Sequence, residues 1–161
     1  MADVGRFMVA MGAIVESAKT GRILLLRRPG DADFSAGEWE HITGRMRQFE
    51  LPEDALRREV REETGLEVEV VCPLGVFHVF RGPEETADHE VVGVVYWCRA
   101  DEDRVVTSAE HADHRWVTPA EALKLVGNDG IRGDIRTFEQ VREIYGRAAG
   151  GELAPDPALP G

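Results

Sequence analysis

Three glutamates, Glu59, Glu62 and Glu63, recur at i, i+3 and i+4 within the stretch Pro52 to Thr64. At about 100° per residue an α-helix carries such positions on one stripe. Like charges held that closely destabilise a helix, whereas a hard divalent cation with oxygen ligands relieves the repulsion. Mg2+ suits such a stripe, because it is usually held by a few carboxylates together with waters and substrate phosphates. The competing reading is a solvated acidic face, on which Arg57, Arg58 and Arg61 form ordinary surface ion pairs contributing about 0–1 kcal/mol each.

The helix that must present this stripe is bounded in the sequence. Pro52 fits a first helical turn, where its missing N–H has no partner in any case, and Glu53 and Asp54 favour the positive end of the helix dipole. Gly65 can take the left-handed conformation that closes the helix at about Thr64. Before it, Phe7 to Val15 and Ile23 to Leu26 are predicted to form a hairpin across Ala18 to Gly21. Gly30 to Gly37 reads as a loop beside the site, and Trp39 to Ile42 as one short strand leading into Gly44. After it come β-rich sequence from Leu66 to Phe80 with breaks at Pro73 and Gly75, an acidic loop from Arg81 to His89, and a strand over Val91 to Cys98. Arg115 to Val117 precedes a capping box at Thr118-Pro119-Ala120-Glu121, which should open a helix carrying Ala122, Leu123 and Leu125. A last helix is predicted over about Asp134 to Ala148, and the Gly- and Pro-rich segment 149–161 reads as a flexible tail. This order describes a single α+β domain over residues 1–148, an α/β/α sandwich whose mixed sheet includes an antiparallel hairpin.

Length and composition agree with one globular core: 161 residues, 43% hydrophobic and 30% charged. The formal net charge of −11 opposes binding to polymeric nucleic acid or an anionic lipid surface, and implies that a phosphate substrate approaches with divalent cations. Cys72 and Cys98 lie far apart outside any Cys-x-x-Cys arrangement, so buried free thiols are expected rather than a zinc site or disulfide framework. Asp3 stands where a signal peptide would carry basic charge, and no apolar run approaches the roughly 20 residues of a membrane span. A cytoplasmic location is the resulting expectation.

The wider spacing is more specific than the stripe. Gly44-x5-Glu50-x7-Arg58-Glu59-Val60-Arg61-Glu62-Glu63-Thr64-Gly65-Leu66 resembles the Nudix box at every fixed position, with Val60 and Leu66 in its two bulky aliphatic places. Trp39 ahead of the box and Arg115 to Pro119 near the end extend the resemblance over about residues 6–146. The resemblance implies an α/β/α sandwich and hydrolysis of a nucleoside diphosphate linked to another moiety, with Mg2+ as cofactor and Mn2+ as an alternative. Carried onto this chain, Glu59 and Glu63 are implied as principal metal ligands, Glu62 as a direct or water-mediated one, and the Gly44 carbonyl as a further oxygen. Arg58 and Glu50 are implied as an ion pair between loop and helix that orients these carboxylates, and Glu110 as an additional acidic group from a later loop. A small-molecule phosphate is the implied partner, and family analogy points to a homodimer. The alternative is a Nudix-fold module that binds a nucleotide as a sensor with weak turnover.

Two positions depart from the usual box: Arg45 follows Gly44, and Phe49 precedes Glu50 where a glycine is common. Leu51 also stands where a Ser-like helix cap is usual. Arg28 and Arg81, with Arg27, are candidate phosphate clamps, with solvated charge as the alternative. Trp39, Phe34 or Phe80 could stack on a base, although aromatics beside strands commonly pack a core. His111 and His114 are expected as solvent-exposed residues of a polar loop rather than metal ligands, and His41, His78 and His89 have no stronger claim.

Overall fold

The computed structural model describes residues 5–32, 35–82 and 84–149. Asp3, Phe34, Pro83 and the tail from residue 150 onward lie outside them. Ten elements follow one another as β1 (Met8–Ser17), β2 (Ile23–Arg27), β3 (Trp39–Glu40), β4 (Ile42–Arg45), α1 (Pro52–Thr64), β5 (Glu69–Phe80), β6 (Glu90–Ala100), β7 (Asp113–Val117), α2 (Pro119–Leu125) and α3 (Asp129–Ala149).

The strands form one mixed sheet in the order β3-β2-β1-β6-β5, with β4 joined to β1 and β7 to β2. β1 and β6 run parallel, Met8 opposite Val91 through Ser17 opposite Ala100. The other pairs are antiparallel. β1 is shared lengthwise: its first half pairs with β4, placing Met11 opposite Gly44, and its far end pairs with β2 at Glu16 and Ile23. Register shifts fall between Val70 and Cys72 and between Pro73 and Gly75, the region where Pro73 and Gly75 suggested breaks.

Alternation along the strands sends apolar groups to both faces. Met11, Ala13, Val15, Leu24 and Leu26 meet Ala55, Leu56 and Val60 of α1 on one face. Ile14, Ile23, Leu25, Val95 and Trp97 meet Ala122, Ile135 and Phe138 of α2 and α3 on the other. This is the α/β/α sandwich, with the glutamate-bearing helix alone on its face.

Two differences from the sequence reading have local causes. The expected strand over Trp39 to Ile42 is split at His41, whose ring is buried and turned to Asp134 of α3, with Nε2 3.2 Å from Oδ2. α3 starts at Asp129 rather than Asp134, because Asn128 Oδ1 accepts from the Ile131 N–H at 3.1 Å and caps a first turn whose Gly130 and Gly133 weaken its helical signal. The capping box at Thr118 forms as expected, with the Glu121 carboxylate returning to the Thr118 N–H at 2.8 Å. Both cysteines are free; Cys98 is buried as expected, whereas Cys72 is only half-buried. Among the described residues no helix is long and apolar enough to cross a membrane.

Candidate active site on the glutamate helix

Helix α1 is placed by its apolar stripe. Ala55, Leu56 and Val60 are fully buried against the sheet, and the two larger side chains contribute roughly 2 kcal/mol each on burial. That anchoring leaves Glu59 against β4 at Gly44, Glu63 buried beside His111, and Glu62 half in solvent. The helix opens at Leu51 with no side-chain cap and Pro52 in its first turn, and it closes at Gly65, φ 71°, whose N–H donates to the Arg61 carbonyl at 2.9 Å. The sequence bounds and the structural bounds coincide here.

Gly44 explains why no larger residue stands across from Glu59. A β-carbon built at Gly44 would overlap the Glu59 carboxyl group. The absence of a side chain lets the backbone of β4 lie directly against this carboxylate, bringing two of the sequence-derived candidates together.

Arg58 organises the remaining carboxylates. Its Nε and one terminal nitrogen hold both oxygens of Glu50, at 2.7 and 2.9 Å, in a fork geometry. Its other terminal nitrogen donates to Glu59 at 2.7 Å and Glu62 at 3.1 Å, and a further bond reaches the Arg45 carbonyl at 3.0 Å. Glu50 also accepts from the Arg47 N–H at 2.9 Å, and these donors, Arg58 first, hold its carboxyl down to about 2. Arg47 reaches forward to Glu62 at 3.1 Å. One guanidinium thus ties the β4–α1 loop to two of the three stripe glutamates.

The loop has a strained point. Phe49 has φ 67° and is 96% exposed, at the position where Phe replaces a common glycine. A left-handed non-glycine residue costs about 1–2 kcal/mol, partly offset by the greater freedom glycine has when unfolded. Phe49→Gly is therefore expected to stabilise the fold by about 0.5–1 kcal/mol, seen in thermal denaturation as a rise of a few degrees.

Glu63 lies apart from that guanidinium. It is 6% exposed, and among the described residues its Oε2 has no hydrogen-bond partner. Burial, and then the charges of Glu59, Glu40 and Glu110, push its carboxyl up to about 8, against a partial opposing effect of Arg28. A buried, unpartnered oxygen surrounded by carboxylates is an arrangement a cation would complete, so the donor set fits a hard divalent ion. The side chains are turned elsewhere as they stand, Glu59 and Glu62 towards Arg58, and among the described residues no three acidic, His or Cys side chains already converge as ligands.

The remaining candidates are dispersed. Glu110 is exposed in the loop before β7, yet close enough for its charge to bear on Glu63. Arg28 sits beside Glu40, with Nε 2.7 Å from Oε1, so it joins the site's border rather than standing in solvent. Trp39 is a correction: it is buried in the core beneath α2 and α3, with the guanidinium of Arg115 4.7 Å from its ring centroid, so its face is not open for stacking. Arg81 is exposed at the end of β5, where its N–H donates to the His89 carbonyl and closes the β5–β6 connection. His111 is also a correction, because its ring is buried between Glu40 and Glu63 instead of facing solvent. Neither Glu40 nor His111 was a candidate from sequence; the one available signal was an acidic residue inside the short strand expected over Trp39 to Ile42.

Residues 6–136 match the NUDIX domain family. The chain is 30% identical over 125 residues to the CTP pyrophosphohydrolase of Escherichia coli K12, covering 74% of this chain and 82% of that one. It is 32% identical over 130 residues to an octanoyltransferase of Myxococcus xanthus, covering 80% of this chain but only 35% of that protein's length. Among solved structures, the MutT protein of Methanosarcina mazei Go1 superposes with a TM-score of 0.70 at 24% identity, covering 88% of this chain and 99% of the other.

Proposed function

We propose, from the premise that this chain belongs to the Nudix family and is a Nudix-type hydrolase, that it cuts the diphosphate linkage of a nucleoside triphosphate or a related nucleoside diphosphate derivative with the help of Mg2+, for which Mn2+ can substitute. The observation that carries the reading is the buried, unpartnered Glu63 oxygen, gathered with Glu59 and Glu62 on one stripe of α1. Glu59, Glu62 and Glu63 would hold the ion, with the Gly44 carbonyl as a further oxygen and Glu110 as an acidic group from the facing loop.

Bound there, a divalent ion supplies charge neutralisation on phosphate oxygens and a more acidic water. The chain's own residues do the rest. Arg58 fixes Glu59 and Glu62 through one guanidinium and locks the loop through Glu50, so the carboxylates meet substrate in a set geometry. Glu63 would hold the ion in its ionised form, its proton released to solvent, and a stripe carboxylate would accept the proton of the attacking water. Arg28, held beside Glu40 at the site's border, is the candidate phosphate clamp whose charge acts on Glu63.

The test is product analysis on purified protein with Mg2+, over nucleoside triphosphates including CTP, nucleotide sugars, ADP-ribose and dinucleotide polyphosphates. A triphosphate substrate is expected to give nucleoside monophosphate and pyrophosphate, separated by anion exchange. Nucleotide binding with no product from any class would overturn the hydrolytic reading in favour of a sensor.

A further inference from the structure

The segment between β6 and β7 is tied down on two sides. The N–H groups of Val106 and Ser108 donate to the carbonyls of Thr64 and Glu63 at 2.8 and 3.1 Å, and the Ala112 N–H donates to the Arg27 carbonyl at 2.8 Å. The Trp116 indole adds a bond to the Asp103 carbonyl at 2.9 Å. This segment is therefore joined both to the end of the glutamate helix and to the strand that leads into Arg28.

The side chain held by this frame is His111, 4% exposed. Its Nε2 lies 3.5 Å from Glu40 Oε1 and 4.0 Å from Glu63 Oε2. Arg28 anchors Glu40 on its other flank at 2.7 Å. An ionised Glu40 carboxylate only accepts hydrogen bonds, so a neutral imidazole whose Nε2 faces it carries its proton on Nε2. Nδ1 is then the lone-pair nitrogen, and it is buried without a hydrogen-bond partner among the described residues.

We propose that His111 is a positioning residue for the hydrolytic site, its ring bridging the gap between Glu40, 3.5 Å from Nε2, and Glu63, whose unpartnered Oε2 it faces at 4.0 Å, beyond hydrogen-bond reach. The bridge keeps two buried carboxylates apart and fixes how Glu63 presents its oxygens to the stripe. It rests on the reading of that stripe as a cation site.

The test is calorimetric titration with Mg2+ of the wild type, His111→Gln and His111→Asn. Glutamine carries a donor that reaches the place of Nε2, whereas the shorter asparagine reaches only as far as Nδ1. His111→Gln is expected to bind Mg2+ within about threefold of wild type and His111→Asn about 10–100-fold more weakly. In turnover of the same variants, kcat is expected to follow metal affinity while KM for nucleotide changes by less than about threefold. Asparagine that binds Mg2+ as wild type does would overturn the bridge. Long-range 15N spectra of the metal-free wild type provide a readout that needs no variant: an Nε2-protonated ring is expected, and an Nδ1-protonated ring contradicts the proposal. A wild type that binds no Mg2+ counts instead against the cation site itself, and the ring tautomer still decides the bridge.

Discussion

Glu63→Gln is expected to make the metal-free protein more stable and at the same time to remove most of its hydrolytic activity. The carboxyl of Glu63 is pushed from 4.5 up to about 8 by burial and by the neighbouring charges of Glu59, Glu40 and Glu110. A folded-state value above the unfolded one means that, between about pH 4.5 and 8, the native protein holds a proton that the unfolded chain releases. Stability conferred by that proton is fully present below 4.5 and is lost as pH rises through the window. Glutamine is neutral throughout and avoids the loss, which by pH 8 is on the order of 2–4 kcal/mol. Thermal denaturation without metal should show the variant about 5–10 °C above wild type at pH 8, with the gap closing by pH 5. Mg2+ should raise the wild-type midpoint and leave the variant's unchanged, and kcat should fall about 10²–10³-fold. A variant no more stable than wild type at pH 8 would show that Glu63 is not strained in the empty site.

Arg58→Lys should have the second largest effect. The guanidinium serves Glu50 with two nitrogens, Glu59 and Glu62 with a third, and the Arg45 carbonyl as well. A lysine ammonium has three donors at one point and cannot span these partners. Positive charge is conserved, so any loss reports geometry rather than neutralisation. We expect kcat/KM to fall about 10–100-fold and stability to fall by about 2–3 kcal/mol, given that Arg58 is only 15% exposed. Acid unfolding gives an independent check. Glu50 is held down to about 2, chiefly by Arg58, so its contribution is complete above about 4.5 and disappears as pH falls towards 2. Arg58→Lys should therefore unfold at a higher pH than wild type on acidification. Unchanged kcat/KM in a correctly folded variant would contradict the organising role of the fork.

Local signals carried much of this structure. Pro52 and Gly65 bound α1 in the sequence as they do in the fold, because a missing N–H and a left-handed closing residue act through neighbouring backbone alone. The capping box at Thr118 is legible for the same reason. The pairing of Arg58 with Glu50 spans only a loop and a helical turn, and the spacing of the Nudix-like string contains it. Features that depend on distant chain segments were not legible. His41 breaks a strand because Asp134 approaches from α3, and nothing around His41 announces that contact. His111 looks like one of several histidines in a polar loop until backbone bonds to Glu63, Thr64 and Arg27 draw its loop onto the site. Trp39 has an aromatic ring near the box in sequence, but the alternation of the sheet turns it into the α2 and α3 layer. Arg28 could be named as a candidate clamp, whereas its partner Glu40 became visible only when β2 and β3 were paired.

The most direct measurement takes the nucleotide turned over best and compares hydrolysis by wild type with Mg2+, by wild type with excess chelator, and by Glu59→Gln with Mg2+. Glu59 is chosen because it lies against Gly44 and is held by Arg58, and its variant removes one stripe carboxylate while keeping its shape. Turnover lost with chelator and reduced at least about 100-fold in Glu59→Gln is the expected result. Turnover that survives both changes would contradict metal-dependent hydrolysis at the glutamate helix.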